Sequence, residues 1–440
     1  MPSRGRIFIL SGASGCGKST LLSSLLKHSE AAHLSLEKVS KYSNRTRREN
    51  DPHDDIIHEP EITSQKFDFA YFLNRTTYAI KTAEIEERLE TGKNLLVILS
   101  DFLVVERLKK RFPKETIAIY ISSAIDPTKL GEIQQGRRNF LPDQSQQEQL
   151  RESFARLQSG ARLGLWERVY KDAVGFSDVW KQFMPETDIT RIRQDNIRSF
   201  HTRYIDNIAL FNHVVLNYAE GKPQDMVRQA LSIIRYYSKG SMRCVAHPPV
   251  FVICAASGMG KGILMELVNL IGGKTVKVVT KWALREPKEN DKRDGMIALG
   301  VNGKFPSECN VSWTFHRGTP YGICRESVAQ GIKSGIAQLF TSNMGQIENL
   351  RNEFGQHVSF VYLHRTATRK DIKTDIEAFQ KRIHKNDPKE AEIRLNEIEE
   401  VYQDYFQKIA EFDHVLLNTN FEEDLFNQML RLIDFHSKPA

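Results

Sequence analysis

The residues with the clearest chemical potential are Gly12-Ala13-Ser14-Gly15-Cys16-Gly17-Lys18-Ser19-Thr20, which fit G-x-x-x-x-G-K-[ST] at every fixed position. That spacing suits one task, holding the phosphates of a nucleotide. Glycines let successive backbone N–H groups wrap phosphate oxygens, Lys18 reaches the β- and γ-phosphates, and the Ser19 hydroxyl ligates Mg²⁺. The loop works only between a strand and a helix. The apolar run Arg6-Ile7-Phe8-Ile9-Leu10 precedes it, and a helix from Ser19 adds its positive N-terminal dipole to the anion site.

The same organisation returns roughly 240 residues further on. Val250–Cys254 is a second apolar strand, followed by Ala255-Ala256-Ser257-Gly258-Met259-Gly260-Lys261-Gly262. Val39-Ser40-Lys41-Tyr42, Arg45, Arg48 and Glu49-Asn50-Asp51 recur as Val279-Thr280-Lys281-Trp282, Arg285, Lys288 and Glu289-Asn290-Asp291. Tyr78-Ala79-Ile80 recurs as Tyr321-Gly322-Ile323, and Phe211–Asn217 as Phe412–Asn418. Matching patches in one order at nearly constant offsets read as a tandem duplication. Its halves are expected at 1–238 and 239–440, joined near Tyr237–Pro249, where Ser-Lys-Gly-Ser and Pro248-Pro249 break the pattern.

The spacing of apolar residues predicts strands at Ile7–Leu10, Leu95–Leu99, Thr116–Ile121 and His213–Leu216, with helices over Ser19–Lys27, Lys81–Glu90 and Phe102–Arg111. In the second half, strands are predicted at Gln338–Thr341, Val358–Leu363 and His414–Leu417, and helices over Ile372–Lys408. Short apolar runs between amphipathic helices imply, in each half, a parallel sheet covered on both faces. A helical insert at about 140–190 has two readings, a lid over the first site or a packing element.

At 440 residues about two or three domains are expected. No apolar run approaches the ~20 residues that span a bilayer. The chain runs straight into a strand and the phosphate loop, so no signal or transit peptide is expected. Cys16, Cys244, Cys254, Cys309 and Cys324 lack metal-ligand spacing and suit reduced thiols in a cytoplasmic protein. The net charge of +7 suits anionic substrates. No basic block with interleaved aromatics points to nucleic acid.

With these residues in view, the chain resembles the guanylate-kinase-like branch of P-loop kinases over most of both halves. That resemblance implies two tandem α/β P-loop NTPase domains and the cofactors ATP and Mg²⁺. It also implies γ-phosphoryl transfer to a small phosphorylated acceptor, by family default GMP. Arg45 and Arg48 fall on the family's arginine pair, Asp51 on its acidic place and Tyr78 on its Y-G-[TI] element. These would hold the acceptor's phosphate, because a guanidinium pairs a phosphate bidentately. Lys18 with lid residues Arg137 and Arg138, and Arg193 after them, would cover the moving phosphoryl group. Asp101 has two readings, orienting the acceptor or a Mg²⁺-bound water, or merely capping the end of its strand.

Some positions depart from the family. The place of the guanine-reading glutamate holds Phe69, one step from Asp68, and Ser312 in the second half. Ala255 replaces the first loop glycine, and Gly262 replaces the metal-binding hydroxyl. In the second half Ser257, Gly258, Gly260 and Lys261 keep the loop, and Arg285, Lys288, Tyr321, Asn343 and Arg394 fall on the guanylate-kinase places, but Ser312–His316, Tyr321–Ile323, Asn343 and the missing loop hydroxyl resemble ribose 1,5-bisphosphate phosphokinase more. This half has two readings, an active sugar-phosphate kinase or a silent copy that binds a ligand. A nucleotide-binding scaffold is the alternative for the chain as a whole.

Overall fold

The computed structural model describes residues 4–13, 15–44, 56–63, 66–73, 76–123, 200–217, 223–240, 245–256, 258–271, 276–288, 291, 295–314, 318–366, 373–374, 377, 388–418 and 422–436. Two compact units divide the chain. The first contains Met1–Ala124, Phe200–Cys244 and Thr368–Val415; the second contains Ile125–Ser199, Val245–Ala367 and Leu416–Ala440.

The first unit is built on a five-stranded sheet of β1 (Ile7–Ser11), β2 (Leu36–Lys38), β7 (Asn94–Ile98), β8 (Thr116–Ser123) and β9 (His213–Asn217), in the order β2-β7-β1-β8-β9. Its four strand pairs are parallel. Every residue of β1 is buried, as a strand covered on both faces requires. Helix α1 (Lys18–Lys27) turns Leu21, Leu22 and Leu25 inward, a helical spacing whose burial contributes about 1.5–3 kcal/mol per side chain. Helices α2 (Thr82–Glu90) and α3 (Phe102–Arg111) follow the same rule with Ile85 and Leu89, and with Val104, Val105 and Leu108.

A second, four-stranded sheet carries β3 (Lys41–Ser43), β4 (Ile56–His58), β5 (Phe69–Leu73) and β6 (Thr76–Ile80), in the order β4-β3-β6-β5. Here β3 pairs parallel with β4 and antiparallel with β6, which pairs antiparallel with β5. The first unit also holds α4 (Pro223–Ser238) and α8 (Pro388–Lys408). Ile398, Val401, Tyr402, Tyr405 and Phe406 of α8 are buried, and Tyr405 Oη donates to Val214 O at 2.9 Å.

A second five-stranded sheet, in the second unit but for the first two residues of β18, has the corresponding order, β11-β16-β10-β17-β18, from Val276–Val278, Ala337–Ser342, Val250–Cys254, Val358–Arg365 and His414–Asn418. Strand β10 pairs parallel with β16 and β17, and β11 with β16. Its small sheet, β13 (Met296–Ala298), β12 (Lys281–Ala283), β15 (Pro320–Ile323) and β14 (Val311–Thr314), repeats the pairing senses of the first. Helices α5 (Lys261–Ile271), α6 (Arg325–Lys333), α7 (Ile347–Phe354) and α9 (Glu422–His436) accompany these sheets. Among the described residues no helix is long and apolar enough to cross a membrane.

The strands and helices expected from the pattern are present where the residues are described, with ends shifted by a residue or two. The insert at about 140–190 lies outside the described residues, as does part of 372–408.

Candidate functional site

Between β1 and α1 the chain turns through three glycines in the left-handed half of conformational space, Gly12 at φ 146°, Gly15 at 84° and Gly17 at 98°. Gly12 is required by close approach as well. A Cβ there would lie 2.7 Å from Ile121 O and 2.8 Å from Cys16 Sγ. Lys18 folds back over the loop, its Nζ donating to Gly12 O at 2.8 Å and Ala13 O at 2.5 Å, with Cys16 Sγ at 3.8 Å. Burial lowers the Lys18 pKa, an effect the neighbouring Cys16 thiol opposes, and burial raises that of Cys16. Ser19 and Thr20 are exposed in the first helical turn, and Ser14 lies outside the described residues.

Behind the loop stands a residue that pattern reasoning passed over. Asn217, the last residue of β9, donates from Nδ2 to Cys16 O at 2.9 Å. It is why position 17 is tight, because a Cβ on Gly17 would lie 3.2 Å from Asn217 Nδ2 and from Met226 Cε. The second unit builds the same arrangement from different residues. Lys261 Nζ donates to Ala255 O at 2.8 Å and Ala256 O at 2.7 Å, and Asn418 Nδ2 donates to Met259 O at 2.7 Å. Gly258 and Gly260 take φ of 80° and 103°. Among the described residues Ser35 alone combines a side chain with positive φ, so Ala255 enters its loop without the turn that Gly12 makes. The signal for Asn217 and Asn418 was available: each closes the strand segment that recurs between the halves.

On the small sheet, Tyr78 of β6 stacks on Tyr71 of β5, ring centroids 5.5 Å apart and planes inclined by 18°. Burial raises the Tyr71 hydroxyl pKa, with the nearby Tyr78 and the Asp101 carboxylate adding to the effect. Asp101 caps α3, Oδ1 accepting from Leu103 N at 2.9 Å. Asp101 thus caps the start of a helix rather than the end of a strand, and its other oxygen is the part open to a second task. Phe69, at the place of a guanine-reading carboxylate, is 5% exposed with the Arg107 guanidinium 4.6 Å from its ring centre. Asp68 accepts from Thr82 N at 3.0 Å and from Thr82 Oγ1, which commits both its oxygens to the start of α2.

In the second unit Arg285 and Asp291 form a two-pronged ion pair, Nη1 to Oδ2 at 3.0 Å and Nη2 to Oδ1. Asp291 also accepts from Lys288 N at 2.7 Å, so one buried carboxylate shapes the segment bearing both cations. Tyr321 lies on β15, and Asn343 precedes the 3-10 turn Met344–Gln346. Arg45, Arg48, Asp51, Arg137, Arg138, Arg193, Ser257 and His316 lie outside the described residues, as does the side chain of Arg394.

Among the described residues no group of three His, Cys, Asp or Glu side chains could hold a metal ion. Ser19, at the place where the loop pattern expects a metal-binding hydroxyl, is exposed in the first turn of α1. Gly262, at the corresponding place, has none.

No family model matches the chain. Over 127 residues, 27% of its length, the chain is 32% identical to a guanylate kinase of Bartonella quintana (strain Toulouse). That match covers 54% of the relative, so the chain spans little more than half the length of the curated protein it resembles. A solved guanylate kinase from Anaplasma phagocytophilum is 11% identical, at a TM-score of 0.31 over 54% of this chain and 88% of that one.

Proposed function

We propose that the chain is an ATP-dependent phosphotransferase whose first half moves the γ-phosphoryl group of ATP to a small phosphate-bearing acceptor. The observation that carries this reading is the loop of Gly12–Ser19. Left-handed glycines, a lysine laid over the loop and an asparagine bracing it from behind make a cradle for a polyphosphate. The partial identity to a guanylate kinase supports the same reading and makes a nucleoside monophosphate the leading acceptor, with GMP the first to test.

In this reading the repeats are 1–238 and 239–440, and the insert near 140–190 brings Arg137 and Arg138 over the nucleotide. Arg45, Arg48 and Tyr78 hold the acceptor's phosphate, Arg193 adds charge beside it, and the second oxygen of Asp101 faces the acceptor. Mg²⁺ takes the Ser19 hydroxyl and neutralises phosphate charge. This reading places the chain in the cytoplasm, with Cys16, Cys254, Cys309 and Cys324 outside any disulfide among the described residues.

The second half keeps the lysine and the asparagine brace but has Gly262 in place of a hydroxyl. We assign it the binding of a phosphorylated ligand between Lys261, Arg285, Lys288 and Tyr321. Ribose 1,5-bisphosphate is the alternative acceptor, and it belongs to this half.

The test is ADP release from ATP·Mg²⁺ with nucleoside monophosphates and ribose 1,5-bisphosphate, using the wild type, Lys18→Ala and Lys261→Ala. Turnover with a monophosphate that Lys18→Ala abolishes and Lys261→Ala spares is expected. Wild-type rates in Lys18→Ala would remove the first half from the chemistry. ATP binding without transfer to any acceptor would make the chain a nucleotide-binding scaffold.

A further inference from the structure

A lysine opens the same strand of the small sheet in both units, and the reading above gives it no task. Lys41, first residue of β3, donates from Nζ to Ile98 O at 3.2 Å. Lys281, first residue of β12, donates to Thr341 Oγ1 and to Thr341 O, the latter at 3.5 Å. Ile98 and Thr341 hold equivalent places in their large sheets. Ile98 pairs with Leu10 and Thr341 with Ile253, each just before its phosphate loop. In each unit, then, one ammonium group ties the small sheet to the strand end beside the loop.

The same ammonium lies on an aromatic ring. Lys41 Nζ is 5.9 Å from the centre of the Tyr78 ring, and Lys281 Nζ is 5.3 Å from that of Tyr321. Strand geometry explains the pairing. Side chains two apart share a face, and Ser43 and Ala283, two residues past the lysines, sit opposite Tyr78 and Tyr321. These are the tyrosines that the resemblance places at the acceptor's phosphate.

A lysine is a costly way to make such a tie. Lys281 is only 4% exposed and Lys41 is half-buried, and lysine is rarely buried because desolvating its charge is unfavourable. A fixed positive charge at the junction of the two sheets, on the face of that tyrosine, has a use when an anion arrives there.

We propose that Lys41 is a positioning and specificity residue for a phosphate-monoester acceptor, and that Lys281 has the same role in the second unit; this rests on the phosphotransferase reading. Its ammonium holds the Tyr78 ring against the end of β7 and supplies charge to the acceptor's phosphate, leaving the nucleotide's phosphates to Lys18.

The experiment compares the full chain with Lys41→Met and Lys41→Arg. Calorimetric titration with GMP, AMP and ribose 5-phosphate reads the acceptor side, titration with ATP·Mg²⁺ the nucleotide side, and thermal denaturation the fold. Losing a charge-assisted contact should weaken binding of the preferred monophosphate about thirtyfold in Lys41→Met. ATP affinity should stay within about twofold and the melting temperature should not fall, while Lys41→Arg recovers most of the loss. Equal weakening of ATP, a lowered melting temperature, unchanged monophosphate affinity, or no saturable monophosphate binding to the wild type would each overturn the proposal. A wild type that binds a monophosphate without phosphorylating it sinks the kinase reading and leaves Lys41 its role. Normal transfer by Lys41→Met does the reverse.

Discussion

Replacing Asn217 tests whether the phosphate loop depends on the strand end behind it. Its Nδ2 donates to Cys16 O at 2.9 Å, and Cys16 is fully buried, so water does not readily replace the donor. Removing one partner of such a bond costs about 1–3 kcal/mol. A central loss of about 1.5 kcal/mol, felt where the loop meets phosphate, weakens ATP binding about tenfold in Asn217→Ala. The same loss lowers the melting temperature by about 3–6 °C, at about 2–4 °C per kcal/mol for a unit of this size. Asn217→Asp should be worse than alanine, because a carboxylate would face the Cys16 carbonyl and add negative charge beside bound phosphate. The expected order is therefore Asn, Ala, Asp. Calorimetric titration with ATP·Mg²⁺ in a Lys261→Ala background reads the first loop alone. Asn418→Ala in a Lys18→Ala background provides the counterpart, since Asn418 makes the equivalent bond at 2.7 Å. An aspartate variant that binds ATP as tightly as the wild type would refute the argument, since it has no proton to donate.

Two further outcomes follow from the same geometry. Gly17→Ala combines a left-handed φ of 98° with a Cβ 3.2 Å from Asn217 Nδ2, so about 1–2 kcal/mol of backbone strain joins a steric term. Calorimetric titration should show at least a tenfold loss of ATP affinity, and full affinity would mean the loop does not need its glycine. His201 is buried, and burial holds its pKa down at about 4, below the ordinary 6.5. The unfolded chain therefore takes a proton that the folded chain refuses between those values. Stability attributable to this residue is complete above pH 6.5 and is lost as the pH falls toward 4, by about 3 kcal/mol. Denaturant unfolding from pH 7 to 4 should show that loss in the wild type and a correspondingly shallower slope in His201→Leu; parallel slopes would count against it.

Much of this molecule is legible in its sequence because the relevant interactions are local. The run Ile7–Leu10 reads as a buried parallel strand from composition alone, and Leu21, Leu22 and Leu25 show their helical face through spacing. The loop's glycines state their conformational need by their identity, and internal repetition exposes the second loop although Ala255 and Gly262 break its pattern. The small sheets were not legible. Most of their strands are three to five residues long, too short for a period to register, and they gain stability only by pairing across the chain, as Tyr42 does with Ala79. Roles that depend on a partner far along the chain were equally hidden. Asp68 is committed to Thr82, Asn217 to Cys16, and Lys41 to Ile98 and Tyr78. Sequence alone determined the glycine-and-lysine loop after a buried strand and the recurrence of its pattern further along, because a loop's pattern is written in adjacent residues. Tertiary structure decided which side chains brace that loop and which carboxylates are already spent, because hydrogen bonds form between atoms that only folding brings within reach.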